Sequence, residues 1–371
     1  MKEGRFMTYL TSTENRPLNI INVHDLEEKV ESRMDAGAFH SVRGGAGEEF
    51  TLKENIESFN RKKIVPRSLK GLASVDTKTS IFGVDLSMPV IACPVAAHGI
   101  MHEEAETASF RGTAAAGSLF TSSTYSNHTL DEIVAGNPDG NFFFQLYMNK
   151  NEEFNKFMVD KAVRLGAKAL VLTVDAIVGG NRESDNFYKW EFPVAMGNLA
   201  EFFNSQSAGG VGRGIAEIFG LAKQDLGLEH IQMLKEMSGL PVIIKGVQSP
   251  EDADEIIRAG ADGIWVSNHG GRQLDGAPAS FEMLPLIAKV VDKRVPIIFD
   301  SGIRRGQHIF KAIASGADVV AIGRPVMYGL NLGGAKGVTS VFEHLEKELS
   351  IAMMLGGTKD IEEIKTKSQL V

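Results

Sequence analysis

Residues 241–268 read PVIIKGVQSPEDADEIIRAGADGIWVSN. The short apolar run Pro241–Gly246 is continuous rather than alternating, as a strand buried on both faces requires. A helical stretch follows over Glu251–Ala259, with apolar residues three and four apart. Gly260 stands where a helix C-cap takes the left-handed conformation, and Ala261 leads into a second apolar run, Gly263–Asn268. Strand, loop, helix, Gly-Ala, strand is the repeating unit of a parallel α/β architecture.

The unit recurs in both directions. Arg164-Leu165-Gly166-Ala167 and Ala314-Ser315-Gly316-Ala317 repeat the glycine device. Further apolar runs are Val90–Ala96, Ser118–Ser123, Asn141–Tyr147, Ala169–Val174, Pro296–Asp300 and Asp318–Gly323, making eight, most of them starting about 22 to 28 residues apart. An open doubly wound sheet shares this alternation. Eight units of similar length favour closure, and no G-x-G-x-x-G follows the first run. The expected fold is α/β: a (β/α)8 TIM barrel forming one domain over 1–371. A helical arm of about 88 residues precedes it, ending in an apolar stretch near Ile81–Val84 suited to plugging the barrel bottom. About 66 residues separate the fourth and fifth runs, with the Gly-, Ser- and Asn-rich stretch Glu201–Gly214 in their middle. Such an insertion at the catalytic face predicts a mobile cover over about 185–220. An amphipathic helix is expected over Val338–Leu355.

Composition narrows the function. The 371 residues are 43% hydrophobic and 23% charged, an ordinary globular profile. The formal charge of −8 argues against general binding to nucleic acid or an anionic membrane. The single cysteine, Cys93, excludes an internal disulfide and a cysteine-cluster metal site, and reads as a small core residue. No metal is expected. No stretch approaches the roughly 20 apolar residues of a membrane span, and no leader pattern opens the sequence, so a cytoplasmic protein is expected. Glycine is abundant, at 39 residues, and recurs after the apolar runs.

In a barrel the functional groups sit at the C-terminal strand ends. These read Ala96-Ala97-His98-Gly99, Ser122-Ser123-Thr124-Tyr125, Gln145-Leu146-Tyr147, Thr173-Val174-Asp175, Lys245-Gly246, Ser267-Asn268-His269-Gly270-Gly271-Arg272, Asp300-Ser301-Gly302-Ile303-Arg304 and Gly323-Arg324-Pro325. Any one has a plain structural explanation; polar or glycine residues crowning seven of eight ends do not. The last two ends combine backbone N–H groups with Arg304 and Arg324, an anion site of the kind this fold builds for phosphate. His269 and Asp175 form a candidate acid–base pair. Arg182 and Arg272 suit a substrate carboxylate, and Lys245 suits an anion developing on a bound ring.

Ser-Asn-His-Gly-Gly-Arg-Gln-Leu-Asp at 267–275 closely resembles the signature of the FMN-dependent α-hydroxyacid oxidases. The resemblance covers nearly the whole chain, including Gly44-Gly45-Ala46, Asn55, Gln145-Leu146-Tyr147, Gly180-Asn181-Arg182 and the strand ends above. Ala96–Gly99 and residues 178–182 are most similar to the bacterial members that oxidise L-lactate. The resemblance implies FMN held by Ala96, Ser123, Gln145, Thr173, Lys245, Ser267 and Asp300, with its phosphate against Gly302, Arg304, Gly323 and Arg324. It implies His269 as base, Asp175 orienting it, and Lys245 stabilising the reduced flavin. Arg182 and Arg272 would bind the substrate carboxylate, Tyr147 would bond the substrate oxygen, and Tyr125 would line the pocket. The partners implied are a small 2-hydroxy acid and O2, and the assembly a homo-oligomer, a tetramer by family analogy.

One position departs from the pattern. Phe39-His40-Ser41-Val42-Arg43-Gly44-Gly45 stands where the family carries F-x-Y-I-x-G-G, so Ser41 replaces a carboxylate-binding tyrosine. The expected reaction is oxidation of an L-2-hydroxy acid, L-lactate to pyruvate, with O2 reduced to hydrogen peroxide. The same residues serve hydride transfer or a carbanion route. Three alternatives stay open: a dehydrogenase passing electrons to a quinone or cytochrome, a monooxygenase acting on a larger acid, and a weakly active FMN-binding relative.

Overall fold

The computed structural model describes residues 11–205, 207–368, 370 and 371, so residues 1–10 of the expected arm and Gln206 of the expected cover lie outside the described residues. All eight apolar runs are strands. An antiparallel hairpin, β1 (Thr79–Ile81) and β2 (Val84–Leu86), precedes β3 (Val90–Ala92), β4 (Phe120–Ser123), β5 (Phe142–Leu146), β6 (Leu170–Thr173), β7 (Val242–Val247), β8 (Gly263–Val266), β9 (Ile297–Phe299) and β10 (Val319–Ile322). The parallel sheet runs β3-β10-β9-β8-β7-β6-β5-β4. The Ala92 N–H donates to the Leu119 carbonyl at 2.9 Å, which brings the two ends of that order together as a barrel.

Alternate strand residues point inward and fill the lower barrel. Ile91, Phe143, Val171, Ile243, Trp265 and Ile298 form one buried cluster with Ile81, Val84 and Leu86 of the hairpin. The hairpin thus plugs the bottom, as its apolar sequence predicts. Burying each of its three aliphatic side chains stabilises the closure by about 1.5–3 kcal/mol. The predicted C-cap glycines hold positive φ: +84° at Gly166, +99° at Gly260 and +111° at Gly316.

The helical arm comprises His24–Glu31, Ala36–Arg43 and Phe50–Glu57. Its last helix docks on the turn after β8 through Asn55 and Asn268, whose side-chain amides bond each other at 2.9 and 2.7 Å. This brings residues 41–45 to the barrel mouth.

One expectation is met and extended, and one needs correction. The expected helix Val338–Leu355 is present, within a helical run Arg324–Gly356 that breaks at Gly333 and Gly334, so an earlier helix starting at Arg324 precedes it. The glycines of this run disguise its start in sequence; a Cβ on Gly112 of the facing helix would lie 2.3 Å from the Ala335 carbonyl, so the two helices touch backbone to backbone. The insertion after β6 is not a bare Gly-rich loop. It forms three short helices, Glu183–Tyr188, Gly197–Phe202 and Ile215–Phe219. The stretch 209–213 pairs back on 192–196 through Met196 N–H to Gly209 O at 2.7 Å and Phe192 N–H to Arg213 O at 3.0 Å. Lys161, buried, fastens the second of these helices through Glu201 and holds Asp131 at 2.9 Å. Among the described residues, no helix is long and apolar enough to cross a membrane.

Candidate active site

A cavity enclosing about 1170 Å³, part of it open to solvent, sits at the C-terminal strand ends. Ser41, Ala96, Tyr125, Tyr147, Arg182, Lys245, His269, Arg272, Asp300, Gly302, Arg304, Gly323 and Arg324 all line it. Of the other expected residues, Ser123, Gln145, Thr173, Ser267 and Asp175 stand behind the lining. They form hydrogen-bonded rows that fix it. Ser123 donates to Gln145 at 3.0 Å, and the Gln145 amide donates to the Thr173 hydroxyl at 3.0 Å. The Ser267 hydroxyl accepts from the Lys245 ammonium and the His269 backbone N–H, each at 3.0 Å.

The cavity floor holds paired charges. Lys245 Nζ lies 3.4 Å from Asp300 Oδ2, with both side chains 5% exposed. Burial works against the ammonium, but Asp300 and Asp175 outweigh it and Lys245 is held cationic. Trp265 Nε1 donates to the same Asp300 oxygen at 2.9 Å, while Ser301 donates to Oδ1 at 2.7 Å. Cys93 packs against the lower core cluster, as expected, but it does more. It lines the cavity with its thiol 3.6 Å from Asp300, and burial pushes that thiol well above its ordinary pKa.

His269 opens the turn His269–Gly271 after β8, with φ at +58°, a conformation that costs a non-glycine residue roughly 1–3 kcal/mol when imposed by its surroundings. Its Nδ1 lies 3.0 Å from Asp175 Oδ1, and its Nε2 lies 3.2 Å from the Tyr147 hydroxyl. The carboxylate accepts a hydrogen bond from Nδ1–H, leaving Nε2 as the free base that faces Tyr147. Burial depresses the imidazole pKa, Asp175 opposing it, so the ring is neutral near pH 7. Burial alone would raise the Asp175 carboxyl, but His269 and Lys245 bring it below its ordinary value. Gly246, at φ +104°, leaves room for this carboxylate: a Cβ there would meet Asp175 Cγ at 2.5 Å. Burial lifts Tyr147 to about 12, keeping its hydroxyl protonated. Tyr125 stacks on Tyr147 with ring centroids 5.0 Å apart.

The walls carry cations with few anions. Arg272 spends three bonds on the arm, to the carbonyls of Ser41 at 2.8 Å, Val42 at 3.2 Å and Gly44 at 2.8 Å. Arg324 bonds Val42, Arg43 and Gly44 of the same stretch and Gly270 O at 3.1 Å. Gly270 holds φ at +65°, which favours glycine in this turn, and a Cβ there would lie 2.8 Å from the Arg324 guanidinium. Burial and then the neighbouring Arg182 lower Arg272 to about 9; burial and then Arg272 lower Arg324 to about 9. Among the described residues, the Arg304 guanidinium donates only to its neighbour Ile303 O, at 2.9 Å. Arg182, 5% exposed, donates to Arg272 O at 3.4 Å and lies 4.0 Å from Asp185. Ser41 donates its hydroxyl to Ala38 O at 2.7 Å.

Sequence reasoning missed Asp185, Trp190, Phe192, Met196, Ile218 and Phe219, which wall the cavity from the insertion. The aromatic and aliphatic members carry no periodic signal. Asp185 did carry one, three residues after Arg182 on a helical turn. Among the described residues, Glu201–Gly214 contributes nothing to the lining, which comes instead from the flanks of the insertion.

Surplus buried positive charge beside a neutral base defines a class: a barrel enzyme that takes a phosphate-bearing cofactor and a small acid. The chain belongs to the FMN-dependent dehydrogenase family, matching it over residues 30–370. It is 46% identical to L-lactate oxidase of Lentilactobacillus hilgardii over 362 residues, 98% of this chain and 97% of that protein. A crystal structure of a protein assigned as lactate oxidase from Pediococcus acidilactici matches it with a TM-score of 0.93 and 47% identity, covering 98% of each chain. Mandelate oxidase matches with a TM-score of 0.88 and 33% identity, over 95% of this chain and 99% of that one. FMN fits the residues present. The depressed guanidinium of Arg324, crowded by Arg272 and Arg304, would be relieved by a phosphate dianion, and the adjoining Gly302 and Gly323 put backbone at the cavity wall.

Proposed function

We propose that the protein oxidises L-lactate to pyruvate with FMN, O2 being reduced to hydrogen peroxide. The observation that carries this reading is the Asp175–His269–Tyr147 row, at 3.0 and 3.2 Å, facing the same cavity as Arg182 and Arg272. In this reading the two arginines hold the substrate carboxylate by charge-assisted bonds. Tyr147 donates to the 2-hydroxyl oxygen, and His269 Nε2 removes a proton from the substrate. Asp175 stabilises the imidazolium that results. Lys245 supplies a fixed cation for the reduced cofactor. FMN, when bound, would supply the two-electron acceptor chemistry that links the substrate to O2. Arg304, Arg324, Gly302 and Gly323 would hold its phosphate and Ala96 and Asp300 its ring and ribityl chain, with Ser123, Gln145, Thr173 and Ser267 supporting them from behind the lining.

Ser41 favours a second feature of the reading. Its hydroxyl is engaged with Ala38, so the carboxylate has one donor fewer and the chamber gains the room of a phenol ring. Bulkier 2-hydroxy acids are therefore comparatively favoured over lactate. We place the enzyme in the cytoplasm as a homotetramer, on family resemblance, with the insertion closing over bound substrate.

Oxygen uptake with L-lactate tests the reaction. Pyruvate and peroxide should form one for one. Pyruvate without peroxide would assign another electron acceptor; acetate in its place would assign a monooxygenase.

A further inference from the structure

The carboxylate end of the cavity has an anion of its own. Asp185 is 7% exposed, lines the cavity, and lies 4.0 Å from the Arg182 guanidinium. Its Oδ1 is buried with no hydrogen-bond partner among the described residues. Burial raises its carboxyl pKa, while Arg272 and then Arg182 favour the charged form. Among the described residues lining the cavity, the only carboxylates are Asp185 and Asp300, and Asp300 is paired with Lys245. Two guanidiniums facing one carboxylate leave a single positive charge, which one substrate carboxylate neutralises. The neighbouring wall of Trp190, Phe192, Met196, Ile218 and Phe219 has no second cation to offer.

We infer that Asp185 makes this site selective for monocarboxylates over dicarboxylates. The inference rests on the proposed carboxylate-binding role of Arg182 and Arg272 and adds the substrate class that their surroundings admit. A second carboxylate on the substrate would meet a buried anion with an unfilled lone pair and an apolar wall. Its charge would be desolvated without compensation. Asp185 thus acts as a charge-balancing, specificity-determining residue rather than as an acid or base.

Propionate and malonate test this on the FMN-loaded enzyme. They are similar in size, differ by one charge, and lack the hydroxyl needed for turnover. Binding is read from the perturbed flavin absorbance. The parent should bind propionate more tightly than malonate. Asp185→Asn should move that ratio toward malonate by about tenfold or more, and Asp185→Glu should keep the parent preference. In turnover, the kcat/KM ratio of L-malate to L-lactate should rise in Asp185→Asn in the same way. Equal weakening of both anions in Asp185→Asn would show a merely structural residue and overturn the inference. So would a parent that binds malonate as well as propionate, a result that needs no variant to fold. If the parent turns over L-lactate but the ratio does not shift, this inference fails alone. If it neither binds these anions nor oxidises lactate, the reading of the arginine pair fails with it.

Discussion

The floor and the walls of the cavity are built on opposite electrostatic plans. On the floor, each charge has a partner: Lys245 pairs with Asp300, and the Asp175 carboxylate is bonded to the neutral His269 imidazole. On the walls, Arg182, Arg272, Arg304 and Arg324 crowd one another, and Arg272 and Arg324 fall to about 9. A paired buried charge is already compensated and holds its position, which suits proton transfer. An uncompensated one is stabilised by the arrival of an anion, which suits binding. Changes on the floor should therefore alter rate, and changes on the walls should alter affinity.

The largest expected effect is on the floor. His269→Gln should retain FMN but lower the rate of lactate-dependent flavin reduction by ~10² to 10⁴, the usual worth of a general base. A rapid-mixing rate within tenfold of the parent would place the proton transfer elsewhere. On the phosphate wall, Arg304→Ala removes one charge-assisted contact, worth about 1.5–3 kcal/mol, and should weaken FMN by about 10- to 150-fold. Arg304 is the cleaner target because Arg324 also holds residues 42–44 of the arm. Full retention of FMN after dialysis would remove the anion-site assignment. On the carboxylate wall, Ser41→Tyr should raise kcat/KM for lactate by about 10- to 100-fold, chiefly through KM, and more for lactate than for mandelate. Unchanged lactate kinetics would show that another residue occupies the tyrosine's place.

The smallest effect concerns pH. The base must be neutral to act, and burial holds the His269 pKa below 6.5. Activity should therefore rise with pH through a midpoint below 6.5 and be level by neutral pH. Asp175→Asn removes the group that raises that pKa, so the acid limb should shift further down while the plateau rate falls. A limb centred well above 6.5 in the kcat/KM profile would mean that the floor is not electrostatically organised as described.

The same division explains what the sequence reveals. Continuous apolar runs and Gly-Ala caps are local signals, so the eight strands and the hairpin plug were legible. The helix Val338–Leu355 was legible too, but the turns from Arg324 to the break at Gly333 and Gly334 were not, because Gly329 and those two glycines depress helical propensity. Floor residues such as Lys245 and Asp300 stand out as charges at strand ends. Three things depended on the folded chain. The bonds of Arg272 and Arg324 to carbonyls of 41–44 involve main-chain atoms that leave no mark in sequence. The aromatic wall of the insertion has no period to follow. Asp185 becomes significant only once the fold buries it beside two arginines.

Anaerobic mixing of the FMN-loaded protein with L-lactate tests the central claim most directly, because it isolates the floor chemistry from the fate of oxygen. The flavin absorbance band should bleach fully in the parent, with one pyruvate formed per flavin, and bleach at least a hundredfold more slowly in His269→Gln, the lower end of the ~10² to 10⁴ given above. A parent whose flavin band is unchanged by L-lactate and by larger L-2-hydroxy acids would contradict the account, leaving a barrel that binds FMN without turning over a substrate.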